Sequence, residues 1–94
     1  MPVSIDELLT KTSRTFALAI PLYEQTLNDY ERLMGPEHVN TLTSRANLAS
    51  AYHTMGRLTE AVAVFERTLS DCERYLPPGH PMTQTIRENL EAAR

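Results

Sequence analysis

The chain has 94 residues, 41% of them hydrophobic and 22% charged, enough for one domain with a modest core. Its formal net charge is −3, and Lys11 and the arginines are scattered among twelve acidic residues, which excludes the clustered basic face that nucleic-acid binding requires. One cysteine, Cys72, permits no internal disulfide, and no apolar run approaches the length of a signal peptide or a membrane span. The expectation is a half-buried helix thiol in a reducing, cytoplasmic setting.

Ser4 with Glu7 three residues on reads as a capping box opening a helix over about 4–18, with Ile5, Leu8, Leu9, Thr12 and Phe16 toward one side. A helix over 19–34 follows, where Ile20, Tyr23, Leu27, Tyr30 and Met34 recur at spacings of three and four, and Gly35-Pro36 ends it. No Gly or Asn separates these two stretches. Pro21 is the only strong breaker, so residues 4–34 form either two helices or one helix kinked at Pro21. The next helix, about 39–55, carries Leu42, Ala46, Ala49 and Tyr52, and Gly56 supplies a left-handed stop. Over 58–76 the stripe is Leu58, Ala61, Val62, Phe65, Leu69, Cys72 and Leu76, closed by Pro77-Pro78-Gly79. Pro81 then suits the first turn of a last helix over 81–93, with Met82, Ile86, Leu90 and Ala93 inward and Arg87, Glu88, Glu91 and Arg94 outward.

Sliding the chain on itself by 42 positions aligns Ala19 through Arg32 with Ala61 through Arg74, and continues through Pro36/Pro78, His38/His80, Thr41/Thr83, Arg45/Arg87, Asn47/Asn89 and Leu48/Leu90. From residue 19 onward 15 of 34 pairs are identical, whereas before it Thr12/Thr54 is the one identity, so the duplication begins abruptly near Ala19. The organisation read from this is one helical-repeat domain over 1–94: a non-repeat helical segment 1–18, a first unit 19–60, and a second, truncated unit 61–94.

The run Asn47-Leu48-Ala49, Tyr52, Gly56-Arg57 and Glu60-Ala61 resembles the tetratricopeptide signature in its 42-residue, kinesin-light-chain-like form, and the Gly35-Pro36-Glu37-His38 turn is similar to the same variant. The resemblance implies an all-α fold of tetratricopeptide-like antiparallel helical hairpins, a short α-solenoid of four or five helices. It also implies that the first helices of successive units line a concave binding face. On that implication Asn47 and Asn89 point into the groove and hold the backbone of an extended peptide, with Arg45, Arg87 and Ser44 contributing to the same face.

At the other end the stretch from Ser4-Ile5-Asp6-Glu7 through Ser13-Arg14-Thr15-Phe16 resembles the opening of squalene and phytoene synthases. The aspartate-rich metal-binding pairs those enzymes need are absent, so a prenyl-synthase-like enzyme fragment is a remote reading. The abrupt edge of the duplication, beside a segment similar to another helical family, predicts an engineered chimera joined around Ala17 to Leu22, with an excised natural repeat as the competing origin.

No nucleophile–base set or Gly-rich phosphate loop is visible, and no catalytic, cofactor or metal residue is expected. His38 and His80 occupy equivalent turn positions and read as helix caps. Asp29 and Asp71, with Arg32 and Arg74 three residues later, read as surface ion pairs. The function expected is a non-catalytic helical-repeat scaffold with no dedicated ligand; the alternative is a peptide- or protein-binding module. If residues 4–34 run as one helix, its first half overhangs the hairpins by about 20 Å. Leu8, Leu9 and Phe16 are then uncovered, and a second copy is the expected partner.

Overall fold

The computed structural model describes the backbone of residues 5–94 and the side chains of residues 18–94. Four helices follow one another: α1 (Ile5–Met34), α2 (Val39–Thr54), α3 (Leu58–Tyr75) and α4 (Pro81–Ala93). Among the described residues there is no strand. The two stretches before residue 34 are one helix of 30 residues with Pro21 inside it. Pro21 is exposed, and with no N–H it leaves the carbonyl four residues back without its helical amide partner.

The turns are those that the glycines and prolines dictate. Gly35 and Gly56 adopt φ of 90° and 79°, a region that side chains with a Cβ avoid. At Gly56 the chain closes on itself through the Gly56 amide to the His53 carbonyl at 3.0 Å and the Arg57 amide to the Tyr52 carbonyl at 2.9 Å. The two histidines cap as expected: His38 Nδ1 accepts from the Asn40 amide at 3.0 Å, and His80 Nδ1 accepts from the Met82 amide at 3.1 Å. Pro81 takes the first position of α4, where its missing N–H costs nothing.

Packing is sequential. α2 lies between α1 and α3, α3 packs on α4, and α2 meets α4 over a short stretch. The central position of α2 explains its unusual pattern, with Thr41, Leu42, Ser44, Arg45, Leu48, Ala49, Ala51 and Tyr52 all buried. One of its faces, Thr41, Ser44, Leu48 and Ala51, repeats in α4 as Thr83, Ile86, Leu90 and Ala93. The other, Leu42, Arg45, Ala49 and Tyr52, repeats as Gln84, Arg87, Glu91 and Arg94, all exposed. One covered face therefore suffices for α4, while α2 needs two. Ala49 and Ala61 are both fully buried, the small side chains that allow close approach of helices, and Phe65 and Leu42 fill the core beside them.

Cys72 is fully buried rather than half-buried. Removal from water raises its thiol pKa, and the neighbouring Asp71 raises it further against the opposing pull of Arg45. At the α2–α3 turn, Arg57 lies over the Tyr52 ring at 4.5 Å and grips Glu60 through both carboxylate oxygens. That hydrogen bonding holds the Glu60 carboxyl below the usual carboxylate range.

Two outcomes follow from these features. Gly56→Ala destabilises by about 1–2 kcal/mol in urea unfolding through backbone strain alone, because an added Cβ meets no atom within 4 Å. Cys72 does not react with a thiol reagent at neutral pH in the folded chain, since burial and a raised pKa both remove thiolate, and it labels at the rate of unfolding once urea is added.

Candidate protein-binding groove

Five side chains were expected to share one face, and the fold divides them. Ser44 and Asn47, three residues apart on α2, turn the same way and line an open groove of about 290 Å³ with Asn40 and Thr43 of the same helix and Tyr23, Thr26 and Tyr30 of α1. Ser44 is buried in the wall, while Asn47 is exposed. Asn89 sits half-buried one unit further along, on α4.

Arg45 does not join them. Two residues from Asn47 is about 200° around a helix, so its side chain leaves the opposite side of α2. There it is only 2% exposed, 2.6 Å from an Asp71 carboxylate oxygen on α3 and 3.5 Å from Glu31 on α1. Arg87, its counterpart, pairs with Glu73 of α3 at 3.6 Å and donates to Gln84 at 3.0 Å. The arginines thus serve the joints between helices rather than the groove. The expectation for the acids changes accordingly. Arg32 does pair with Asp29 at 3.2 Å on the surface, but Asp71 goes to buried Arg45 and not to Arg74.

Tyr23, Thr26 and Tyr30 are the groove residues that sequence reasoning missed as a site, having read the tyrosines as core. The signal was in the duplication. Their counterparts Phe65, Thr68 and Cys72 are buried on α3. Replacing Phe and Cys by tyrosine puts hydroxyls where the second unit has none, which marks a face that meets water. α3 packs against two helices, α2 and α4, whereas among the described helices α1 packs against α2 alone. Leu18, Leu22 and Leu33 of α1 are 70%, 65% and 74% exposed. Leu8, Leu9 and Phe16, the expected self-association residues, lie outside the residues whose side chains are described.

No helix among the described residues is long and apolar enough to cross a membrane. Nor do three His, Cys, Asp or Glu side chains among them gather as metal ligands would.

Antiparallel helices stacked in duplicated hairpins define a helical-repeat protein, a short α-solenoid. The family model for the tetratricopeptide repeat matches residues 8–93, and the chain belongs to that family. The matched span takes in residues 8–18, which the self-alignment had left outside the repeat. Comparisons with curated proteins and with solved structures returned no match.

The Arg45 clamp generates its own prediction. Asp71→Asn leaves the buried guanidinium with the longer contact to Glu31 as its charge pairing and lowers stability by about 2 kcal/mol in urea unfolding. Arg45→Met combined with Asp71→Asn costs less than Asp71→Asn alone, because no uncompensated charge then remains inside.

Proposed function

We propose that this chain is a non-catalytic protein-interaction module that takes a helical segment of a partner into the groove between α1 and α2. The observation that carries the reading is internal. The corresponding residues of the second unit, Phe65, Thr68 and Cys72, are fully buried on α3, a helix packed between α2 and α4. A surface built on the same spacing and left open on α1 is shaped for the same kind of occupant, a helix lying along α1. Tyr23 and Tyr30 supply contact area with a polar tip, and Asn47 supplies donor and acceptor capacity at the rim. Asn89, one unit away, extends the same surface rather than forming part of this groove.

A selection from a library of helical peptides tests this. Retained binders lose about tenfold in affinity, roughly 1.4 kcal/mol, on Asn47→Ala and more on Tyr30→Ala, as fluorescence anisotropy would read, and change little on Asn89→Ala. Binders indifferent to both Tyr30→Ala and Asn47→Ala would place recognition elsewhere and defeat the proposal.

A further inference from the structure

The two ends of the stack are related by the same 42-residue shift that relates the units, and their charges are left incomplete in complementary ways. Inside the molecule, Arg45 of α2 bridges a carboxylate behind it, Glu31 at 3.5 Å, and one ahead of it, Asp71 at 2.6 Å. Arg87 of α4 reproduces the first half of that bridge with Glu73 at 3.6 Å. The second half is missing, because no described helix packs on the outer side of α4. At the opposite end, Asp29 of α1 is the counterpart of Asp71. Among the described residues its bond is to Arg32 of its own helix, and both partners are substantially exposed. Such a surface pair exchanges at little cost.

The apolar and polar positions match as well. The outer face of α4 carries Gln84 and Glu91 where α2 presents Leu42 and Ala49 to α3, and α1 offers Tyr23 and Tyr30 where α3 offers Phe65 and Cys72. Each end is a more polar version of the internal joint. The hydroxyls of one end have a carboxylate and an amide to meet on the other.

We infer that a second copy of this chain is the groove's partner, docking head to tail so that α4 of one copy seats on α1 of the next as α2 seats on α3, with Arg87 meeting Asp29. This rests on the groove reading above and names its occupant. The contact is heterologous and does not close on itself, so it builds short linear stacks rather than a twofold dimer. Polar ends make the association weak, reversible and strongest at low salt, where the charge pairs are least screened.

Sedimentation of the whole chain across a wide concentration range, at low and high salt, is the test. Mass rises with concentration at low salt. R87E and D29R, each checked by circular dichroism for an intact fold, shift the midpoint of association at least tenfold toward higher concentration. Mixing the two variants restores it, because each mixed junction again joins opposite charges. If association survives R87E but is lost on Leu22→Asp, the copies pair through α1 about a twofold axis and the inference is wrong. A chain that stays monomeric at every concentration while still binding Asn47-dependent peptides overturns the inference and leaves the groove reading intact. Loss of both removes both.

Discussion

A guanidinium held out of water between two neighbouring helices sets the register of this molecule. Arg45 leaves the middle of α2, and its carboxylate partners are on α1 and α3, the helices on either side. A buried charge is costly unless its partners stay in place, so sliding α3 along α2 breaks the 2.6 Å pair with Asp71 at that cost. The apolar contacts beside it, Leu42, Leu48, Ala49, Ala61 and Phe65, supply the driving force without direction, and the ion pairs supply the alignment.

From that arrangement follows the unequal treatment of the helices. α2 is covered on two faces and must be small, apolar or ion-paired on both. α4 is covered on one, and its outward positions revert to Gln84, Arg87, Glu91 and Arg94. α1 stands at the other end, packed among the described helices against α2 alone. Its half-buried tyrosines occupy positions that α3 buries as Phe65 and Cys72, whereas Leu18 and Leu33 correspond to Glu60 and Tyr75, which α3 also leaves exposed. The same positions are core in one unit and line an open groove in the other.

Much of this was legible from local spacing. The stripe Ala61, Phe65, Cys72 marked the inner face of α3, and Gly35, Gly56 and Pro81 marked helix ends through backbone rules that need no partner. The histidine caps were legible for the same reason, since donor and acceptor lie two residues apart. The groove was half legible. Asn47 and Ser44 do share one face of α2, but Arg45 was placed with them because proximity in sequence was allowed to stand for proximity on a helix face. Tyr23 and Tyr30 were read as one inward stripe, and Tyr23 does pack against the core, but periodicity could not say that both rings also line an open groove. Whether Pro21 divides the helix or lies within it was left open by the sequence, and the structure keeps one helix through it.

The amino-acid sequence by itself determined the helices, their stops and the 42-residue duplication. Each rests on interactions within a turn or two of helix, or on comparing the chain with itself. Only the tertiary structure decided that α1 runs unbroken through Pro21, that Arg45 reaches Asp71 across 26 residues of sequence, and that the two units present the same face to different surroundings. Those outcomes depend on which side chains are brought together and which are left to solvent. Long-range packing sets that balance, and no local spacing encodes it.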